Sequence, residues 1–475
     1  MDGTGTWPRW RELDDAALDA AVNGLARAAP SESARRRVTT NQAIVLVLLA
    51  GVVAAFAAFW PSAAQGIAGF ALCALFIAFI TLRLAAAAFV AAAPVGPPPI
   101  RWSGELPIYS ILCPLHREAA IAPDLVAALS KLDYPGAKLD VKFIVEADDQ
   151  ETIAALRAVG LPGWSELVEV PPLGPRTKPK ALNFALPRVR GAFVCVYDAE
   201  DVPHPGQLRA ALDAFAAHGA DLGCVQAPLV VANGDRAWIA RQFAAEYAIQ
   251  FGELLPFFAL AKLPFAIGGT SNHFRTSALI TCGGWDPYNL TEDADIGFRL
   301  ARRGWRMTMI DAPTLEDAPT DMAAWIKQRT RWIKGHIQTW VVLMRDPARL
   351  FRDLGAAGFC AVQVQLAGGV LAAFAHAPFA LCLAVSAVDP SGTVGREGWA
   401  LAFAGYATAA YGAAVGTAKS GDLGHLRAAL TMPLYWPLAT IAAVRALIEF
   451  VAAPHYWAKT DHPARSARAS PRSEP

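Results

Sequence analysis

IYSILC, at residues 108–113, is an uninterrupted apolar run that ends at Pro114. A helical pattern follows over residues 123–132, then a turn at residues 134–136 and a second apolar run, VKFIV, at residues 141–145. Apolar runs of this length, bounded by turn residues, are typical of buried strands. A strand, a helix and a strand in this order form a βαβ unit, in which the ligand-binding loops follow the carboxyl ends of parallel strands. The sequence therefore predicts an α/β fold.

Acidic residues follow two of the predicted strands. Asp148 and Asp149 come directly after the second strand, and a third apolar run at residues 192–197, AFVCVY, leads into an acidic tetrapeptide from Asp198 to Asp201. Because parallel strands end at the same edge of a sheet, this recurrence favours a cation-assisted nucleotide site over scattered surface charge. The fingerprint G-x-G-x-x-G is absent after the first strand, which argues against a dinucleotide cofactor.

Asp198 and Glu200 are the predicted metal ligands. If the strand continues, residues i and i+2 point to the same side, so the two carboxylates can share one Mg²⁺ or Mn²⁺ ion. If the chain turns instead, Asp201 takes the place of Glu200. Such a cation would bridge a substrate diphosphate and offset the charge on the leaving group. The alternative is a solvated acidic turn before Pro203.

Two further pairs of charged residues are candidates for nucleotide binding. Asp148 and Asp149 are expected to contact the base or the ribose, with a solvated helix N-terminus as the alternative. Lys178 and Lys180 can neutralise phosphate, although lysines are usually just solvated.

Thr291, Glu292 and Asp293 form a short motif after a glycine turn at residues 283–285. As a catalytic motif it supplies Asp293 as a general base that takes the proton from an attacking hydroxyl, with Glu292 beside it as a second carboxylate. As a structural motif it places Thr291 at the N-cap of a helix with two acids in the first turn. Both interpretations stay open at this point.

Residues 321–343 form a proline-free run that is rich in Trp, Lys and Arg, which predicts a helix at a membrane interface. The run carries three tryptophans at near-heptad spacing, Trp325, Trp332 and Trp340. Gln328 and Arg331 are one turn apart and can reach a diphosphate together, while Trp332 offers a flat apolar face for ring stacking. The alternative is that the tryptophans only anchor the helix among lipid headgroups. We expect this of Trp325 and Trp340 but not of Trp332.

The composition indicates membrane segments. Of the 475 residues, 54% are hydrophobic and 17% are charged, and the mean hydropathy is +0.31. Residues 43–60 and 66–93 are almost wholly apolar except for Arg83, and each approaches or exceeds the ~20 residues that cross a bilayer. The formal net charge of +1 gives no reason to expect nucleic-acid binding. The seven cysteines contain no C-x-x-C pair, so neither a zinc site nor a disulfide framework is expected.

The orientation of the chain follows from its arginines. Arg35, Arg36 and Arg37 precede the first span, so the positive-inside rule places the N-terminus in the cytoplasm. Two crossings return the chain to the cytoplasm before a stiff Pro-rich linker at residues 97–99. The soluble region that follows is therefore expected to be cytosolic.

Apolar segments return near the C-terminus, at residues 359–388, 399–418 and 430–453. The last of these is ambiguous, because Pro433 and Pro437 would break or kink a helix, while Arg445 and Glu449 stand one turn apart. It is either a fifth span or a re-entrant or interfacial helix pair. The predicted organisation is a cytosolic segment at 1–40, a transmembrane hairpin at 41–93, an α/β domain at 100–320, an interfacial region at 321–355, a transmembrane region at 356–453 and a tail at 454–475.

Taken together and in this order, the motifs resemble those of the processive, membrane-bound, inverting glycosyltransferases of family 2, such as cellulose, hyaluronan and chitin synthases. The resemblance covers about residues 107–340. The matching elements are Pro114-Leu115-His116-Arg117-Glu118 with His-Arg in place of the usual Tyr-Asn, Asp148-Asp149, Lys180-Ala181-Leu182-Asn183, Asp198-Ala199-Glu200 in place of D-x-D, Gly268-Gly269-Thr270-Ser271-Asn272, Thr291-Glu292-Asp293, and Gln328, Arg331 and Trp332 of Q-x-x-R-W.

This resemblance implies a GT-A fold, which is Rossmann-like, inserted between N-terminal and C-terminal transmembrane helices, with interfacial amphipathic helices that cover the active site. It implies a UDP-sugar donor, a divalent cation and inversion at the anomeric carbon. It adds Glu118 and Lys180 to the nucleotide-binding residues, and Gly269, Thr270 and Ser271 to the acceptor side with Trp332. It also places the chain in the bacterial inner membrane, with its catalytic domain in the cytosol.

The expected function is the processive transfer of a sugar from a UDP-sugar, first of all UDP-glucose, to a growing β-linked polysaccharide. Expected partners are membrane lipids and secretion or regulatory subunits. Two alternatives stay open. One is the transfer of a single sugar to a lipid or a short acceptor, and the other is a non-catalytic membrane scaffold.

Overall fold

The computed structural model describes residues 9–92, 100–389, 394–420 and 426–456. The predicted linker at residues 97–99 lies outside these ranges. Residues 390–393 and 421–425, which stand between the predicted apolar segments near the C-terminus, and residues 457–475 of the predicted tail also lie outside them.

The described residues form strands and helices that alternate through the middle of the chain. The strands are β1 Tyr109–Leu115, β2 Leu139–Glu146, β3 Ser165–Val170, β4 Phe193–Val196, β5 Val202–Pro203, β6 Leu222–Gln226, β7 Leu229–Val231, β8 Asn272–Arg275, β9 Arg306–Met309 and β10 Thr314–Glu316. The helices are α1 Arg9–Ala28, α2 Thr40–Phe59, α3 Pro61–Ala92, α4 Ala122–Leu129, α5 Gln150–Val159, α6 Lys178–Ala185, α7 Gln207–His218, α8 Trp238–Ile249, α9 Leu255–Leu260, α10 Thr276–Thr281, α11 Glu292–Arg302, α12 Met322–Leu343, α13 Pro347–Val362, α14 Gly369–Val388, α15 Arg396–Ser420, α16 Leu426–Ala429, α17 Met432–Tyr435 and α18 Leu438–Ala452.

The predicted βαβ unit is confirmed by β1, α4 and β2. β1 and β2 are parallel, with Ile111 opposite Val141. Side chains of β1 alternate between two apolar cores, because Ile111 and Cys113 face one cluster while Leu112 faces the other. Helices therefore cover both faces of the sheet, which explains why its strands read as continuous apolar runs.

The central sheet has seven strands in the order β3-β2-β1-β4-β8-β6-β9. It is mixed rather than wholly parallel, because β8 runs antiparallel to both β4 and β6. The sequence-based expectation of a parallel sheet was therefore incomplete. A second sheet contains β5, β10 and β7. Together these elements form the predicted GT-A, Rossmann-like fold.

Four helical segments of the described chain are long and apolar enough to cross a membrane, by length and composition. They are Thr40–Phe59, Pro61–Ala92, Pro347–Val388 and Met432–Ala452, and they flank the α/β domain. The predicted span at residues 399–418 forms α15, which packs along α3 and α8 but is not among these four. The ambiguous last segment contains α17 and α18, with Pro433 in the first turn of α17 and Pro437 at the N-cap of α18.

Two π-helical turns interrupt the helices where the domain meets the membrane segments. Gln250–Leu254 joins α8 to α9, and Gln363–Gly368 joins α13 to α14. Such turns are rare in proteins, and those that occur are often found at functional sites. In this chain, residues of both turns line the cavity described below.

The N-terminal helix α1 packs on the α/β domain. Its Leu18 and Ala21 belong to the same apolar core as Leu182 of α6. After α1, Ser33 and Ala34 both donate hydrogen bonds to the buried carboxylate of Asp286. The N-terminal segment therefore ties the domain to the start of α2.

Candidate active site

A cavity of about 610 Å³ begins beside the carboxyl ends of β1 and β4 and continues between the membrane helices. Its wall contains most of the residues that the sequence singled out, namely Glu118, Asp198, Glu200, Gly269, Thr270, Glu292, Asp293, Gln328, Arg331 and Trp332. The wall does not contain Asp148, Asp149, Lys180, Asp201 or Ser271. The structure thus brings together residues that are more than 200 positions apart, such as Glu118 and Arg331.

The acidic tetrapeptide is a turn and not a strand. β4 ends at Val196, and residues 199–200 form the turn, so the expectation that Asp198 and Glu200 align along a strand is wrong. Both side chains nevertheless lie on the cavity wall. Asp201 points into the protein, where it accepts hydrogen bonds from the backbone N–H of Asp198, at 2.7 Å, and from the hydroxyl of Thr270. Its carboxylate therefore shapes the turn from within.

Lys178, at the start of α6, is the cation that faces this turn. Its ammonium group donates to Asp198 and, at 2.6 Å, to the carbonyl oxygen of Gly269. Burial disfavours the charged lysine, but Asp198, Glu292 and Asp293 together outweigh burial and raise the pKa of Lys178. A fixed positive charge therefore stands between the acidic turn and the predicted base.

Lys180 has a different place, and this corrects its assignment to phosphate binding. Its side chain is fully buried and forms an ion pair with Glu146, with 2.6 Å between Nζ and Oε1. It also donates to the carbonyl oxygens of Pro171 and Leu173, each at 3.3 Å. Lys180 therefore supports the ends of β2 and β3 from inside the domain.

The candidate base lies at the start of α11. Asp293 Oδ1 accepts a hydrogen bond from the N–H of Ala294 at 2.8 Å, which fixes the carboxylate at the helix N-terminus. A Cβ atom on Gly269 would come within 3.2 Å of Asp293 Oδ2, so glycine leaves room beside this oxygen. Thr291 does occupy the N-cap position, but its side chain makes no capping hydrogen bond. The cap interpretation therefore lacks the contact on which it depends.

Helix α12 packs against the loop that precedes α11 and leads to this base. Asn289 donates to the hydroxyl of Thr339 at 2.9 Å, and the N–H of Leu290 donates to Gln338 Oε1 at 3.1 Å. A Cβ atom on Gly335 would stand 2.5 Å from the side chain of Thr291. Glycine at 335 is therefore what allows α12 to approach the loop so closely.

The two neighbouring carboxyl groups of this motif both have raised pKa values. Burial, followed by the charge of Asp293, raises the pKa of Glu292 to about 8. Burial also raises the pKa of Asp293, while Lys178 and Arg331 act against it. Burial therefore favours a proton on Glu292 at neutral pH, whereas the charges of Lys178 and Arg331 favour the carboxylate form of Asp293, which is the form that can accept a proton.

Gln328 and Arg331 project from α12 into the same cavity. Gln328 Oε1 is buried and has no hydrogen-bond partner among the described residues. The charge of Arg331 lies close enough to Glu292, Asp198 and Asp293 to interact with all three. A guanidinium and an amide on one face of a helix are suited to an anionic ligand between them.

Trp332 lies on the cavity wall and is held by aromatic and cationic neighbours. Tyr247 stacks on it, with ring centroids 6.4 Å apart and planes at 26°. The guanidinium of Arg329 lies 4.8 Å from its ring centroid and is bound by Glu246, with 2.8 Å between Nη1 and Oε1. Sequence reasoning missed Arg329 and Glu246, because their pairing joins α12 to α8 across 83 positions and leaves no local pattern.

The expected headgroup anchoring of the other two tryptophans is wrong for Trp325. This side chain is 1% exposed, and its indole N–H donates to Tyr435 at 2.8 Å. Trp340 is half-buried and donates to Gln363 at 2.8 Å. Both therefore fasten α12 to other protein helices, and an aromatic repeat in the sequence cannot distinguish such packing from a lipid interface.

Comparison with known proteins shows which family the α/β domain matches. Residues 107–335 match the family described as "Glycosyltransferase like family 2". These residues form a family 2 glycosyltransferase domain. The mannosyltransferase from Pyrobaculum calidifontis, solved in complex with GDP-Man and Mn²⁺, superimposes on the chain with a TM-score of 0.50 and 19% identity. The match covers 80% of this chain and 99% of that protein, and it supports the GT-A fold.

Two sequence relatives are similar to about half of the chain. Beta-monoglucosyldiacylglycerol synthase from Trichormus variabilis is 26% identical over 242 residues, which cover 50% of this chain and 51% of that protein. The "Probable glucomannan 4-beta-mannosyltransferase 1" of Arabidopsis thaliana is 25% identical over 260 residues, covering 52% of this chain and 44% of the relative. The chain thus spans about half the length of the curated relatives that it matches.

The remaining predicted nucleotide-binding acids, Asp148 and Asp149, lie outside the cavity wall. Asp149 is the N-cap of α5, where it accepts a hydrogen bond from the N–H of Thr152 at 3.3 Å. The alternative interpretation, a role at a helix N-terminus, therefore applies to Asp149. Asp148 pairs at 2.7 Å with Arg176, and Arg176 lines the cavity. Any contact of these acids with a nucleotide stays a prediction.

Ser271 was predicted on the acceptor side but is fully buried. Its hydroxyl donates to Thr314 at 2.6 Å, and its N–H donates to Val196 at 2.8 Å. It therefore joins the two sheets beneath the wall. Gly269 and Thr270, its neighbours, are the residues of this loop that line the cavity.

The carboxylates of the glycosyltransferase domain fit a divalent cation that arrives with a diphosphate. No group of three or more His, Cys, Asp or Glu side chains among the described residues is arranged to hold a metal by itself. Mg²⁺ usually needs only one or two protein carboxylates, with substrate phosphates and water as its other ligands. Asp198 and Glu200 supply two on the wall, and burial, with the charges of Glu200 and Asp198, raises the pKa of nearby Glu316 to about 8. This crowding of negative charge is what a cation would relieve.

Proposed function

We propose that the chain is a membrane-bound glycosyltransferase that moves a sugar from a UDP-sugar to an acceptor hydroxyl, with inversion at the anomeric carbon. The supporting observation is the difference between the residues that line the two ends of the cavity. Its domain end holds carboxylates, Lys178 and Arg331, and its other end lies between membrane helices. A water-soluble donor and a membrane-delivered acceptor can therefore meet beside Asp293.

In the proposed reaction, the diphosphate lies between Lys178 and the face of α12 that carries Gln328 and Arg331. Asp293 takes the proton from the acceptor hydroxyl while its oxygen forms a bond to the anomeric carbon, and the bond from that carbon to the diphosphate breaks. UDP leaves with the developing negative charge beside Lys178 and Arg331. Mg²⁺ or Mn²⁺ held by Asp198 and Glu200 would add positive charge to the same diphosphate. Because one base assists a single displacement, the configuration at the anomeric carbon is inverted.

The lining of the membrane end favours a lipid as the acceptor. Most of its side chains are apolar, including Phe76, Phe79 and Val370. The amide of Gln365, one of the few polar groups there, is already bonded to the backbone at Pro264 and Ala266. Such a wall suits an acyl or isoprenoid chain more than a hydrated sugar chain. The relative that glucosylates a diacylglycerol, by its name, is consistent with this proposal.

Processive synthesis of a β-linked polysaccharide from UDP-glucose is the second candidate. It is supported by the motif order and by the relative named as a glucomannan mannosyltransferase. Four membrane-crossing helices and α15 would then have to enclose a path for the polymer, and secretion or regulatory subunits would be expected. For either candidate we propose a bacterial inner membrane location, with the catalytic domain on the cytosolic side because Arg35–Arg37 precede α2.

The test is to incubate the purified protein in lipid vesicles with labelled UDP-glucose, UDP-N-acetylglucosamine and GDP-mannose, with Mg²⁺ or Mn²⁺. The products are then extracted into organic solvent and sized. We expect transfer from a UDP-sugar into a small, solvent-extractable product. A long, water-soluble or insoluble chain would favour the polysaccharide candidate. If no nucleotide sugar is bound or turned over, the chain is a non-catalytic scaffold and the proposal fails.

A further inference from the structure

Arg83 is a charged residue at the membrane end of the cavity. It lies on α3 within an apolar run and lines the cavity. An ionisable side chain within a membrane-spanning run marks a functional site unless a protein group neutralises it. The charged neighbours of Arg83 therefore decide its role.

No carboxylate forms an ion pair with Arg83 within the described residues. No carboxylate oxygen of these residues lies within 4.0 Å of the guanidinium nitrogens, which is the limit for an ion pair. Arg83 Nε is buried without a hydrogen-bond partner. The nearest acids are Glu246, which Arg329 already binds, and Glu253. Both oxygens of Glu253 are buried and unbonded, so this acid has not reached Arg83. The ring of Trp436 lies 4.8 Å from the guanidinium and holds it in place without cancelling its charge.

Arg83 lies at about the depth of lipid headgroups. α2 has 20 residues and α3 has 32, and both helices meet at Trp60. α2 therefore spans about 30 Å, the thickness of the hydrocarbon layer. The last third of α3 contains Arg83. Measured from Trp60, it lies at the same depth in the membrane as the first turn of α2. That level is on the side of the catalytic domain, because Gln42 in the first turn of α2 donates to the backbone of α12 at 2.8 Å.

We infer that Arg83 binds the phosphate of an anionic membrane phospholipid, and that a free hydroxyl of this lipid's headgroup is the acceptor. A planar guanidinium binds phosphate through two parallel hydrogen bonds. The apolar side chains of the membrane end accommodate the acyl chains, and Asp293 in the same cavity requires an acceptor that has a proton to lose. A phospholipid with a glycerol or inositol headgroup has all three features.

This inference rests on the proposed function and specifies its acceptor. The headgroup oxygen forms the new bond to the anomeric carbon, its proton passes to Asp293, and the sugar's bond to UDP breaks. The lipid phosphate keeps its charge throughout, so it serves as a handle and not as the nucleophile.

The experiment uses the full chain in vesicles of phosphatidylcholine, with or without phosphatidylglycerol, and with the UDP-sugar that it hydrolyses or transfers. We expect labelled phospholipid only where phosphatidylglycerol is present. Arg83→Gln should lower this product about tenfold or more, which corresponds to the loss of a charged hydrogen bond. Arg83→Lys, which keeps the charge but not the planar fork, should recover part of it. Binding of UDP, measured in the same samples, should stay unchanged and shows that the variants are folded.

Two matched variants separate this role from others. Arg445→Gln removes an arginine of α18 that pairs with Glu449 outside the cavity wall, and it should leave the lipid product unchanged. Glu253→Gln should also leave it unchanged. If Glu253→Gln and Arg83→Gln lower the product equally and their combination lowers it no further, Arg83 serves an internal ion pair and the inference is overturned.

Other outcomes also overturn it. Equal labelling of phosphatidylcholine-only vesicles, of water-soluble glycerol phosphate, or of a polysaccharide would exclude an anionic lipid acceptor. If UDP-sugar is bound and slowly hydrolysed but no lipid mixture is labelled, the acceptor assignment fails while the transferase site stands. If the sugar nucleotide is neither bound nor hydrolysed, the proposed function itself fails.

Discussion

The two ends of the cavity are built in opposite ways. At the domain end, charged groups are crowded and each is held by neighbours, as Lys178 is held by Asp198 and Gly269. At the membrane end the wall is largely apolar, and among the described residues no carboxylate forms an ion pair with Arg83. A crowded, fixed set of charges suits the chemistry of a diphosphate, whereas an apolar wall that contains an arginine suits the selection of an acceptor. The following predictions test this division.

The largest effect is expected at the base. Asp293→Asn keeps the size of the side chain but removes its ability to take a proton, so transfer should fall by about 10²–10⁴-fold. UDP binding should remain nearly unchanged, because the diphosphate is expected at Lys178 and Arg331. The two quantities can be measured by product formation and by titration calorimetry. Wild-type turnover in this variant would remove Asp293 from the role of base.

The two lysines of α6 allow a matched comparison. Lys178→Met should lower transfer by about 10²-fold, since a fixed charge beside the leaving group is lost. Lys180→Met should instead leave Glu146 buried without its partner and lower the free energy of unfolding by about 3–5 kcal/mol. Turnover and thermal unfolding of both variants check this. The comparison breaks down if Lys180→Met lowers turnover without loss of stability.

The pH dependence of activity should report the burial of the charged groups at the domain end of the cavity. Because burial raises the pKa of Asp293, the base is protonated at higher pH than an ordinary aspartate. Transfer should therefore fall about tenfold per pH unit on the acid side of this raised pKa. An acid limb at the ordinary value for aspartate, about 3.9, would contradict this burial effect.

Stability should respond to pH in the opposite direction. The folded protein holds a proton on Glu292 up to a pKa of about 8, whereas the unfolded chain loses it near the ordinary value of 4.5. In this window the native state binds more protons, so the contribution of Glu292 to stability falls as pH rises. Thermal unfolding across the same pH range separates the two effects, and Glu292→Gln should remove this part of the slope.

The smallest expected effect concerns the packing of α12 on the base loop. Gly335→Ala places a methyl group against Thr291 and should cost about 1–3 kcal/mol of stability, with some loss of turnover. Gly24→Ala, in α1, meets no atom within 4 Å and is the matched control. Its effect on turnover should be negligible. Equal effects of the two substitutions would show that the close approach at Gly335 is unimportant.

Much of the fold could be predicted because its signals are local. The apolar runs of β1 and β2 and the uncharged run of α2 carry their structure in their own composition. The family resemblance assigned Asp198, Asp293 and Trp332 to one active site, and all three line the same cavity. Their chemical roles stay predictions.

Other features depended on helical phase or on distant partners. Lys178 and Lys180 are two residues apart, and in a helix this places them about 200° apart, so only one can face the cavity. Thr177 and Pro179 mark the start of α6, but the face that it turns to the cavity depends on its packing against α1, β1 and β2. The turn after β4 and the pair of Arg329 with Glu246 depend on tertiary contacts with Thr270 and α8. No pattern within either segment contains that information.

The most direct test of the central claim is a cryo-electron microscopy map of the Asp293→Asn variant in lipid nanodiscs with a UDP-sugar and Mn²⁺. We predict density for the diphosphate between Asp198 and Arg331, with the anomeric carbon facing residue 293 and lipid density reaching the same point from the membrane end. A nucleotide bound outside this cavity, or a protein wall between residue 293 and the lipid, would contradict the account.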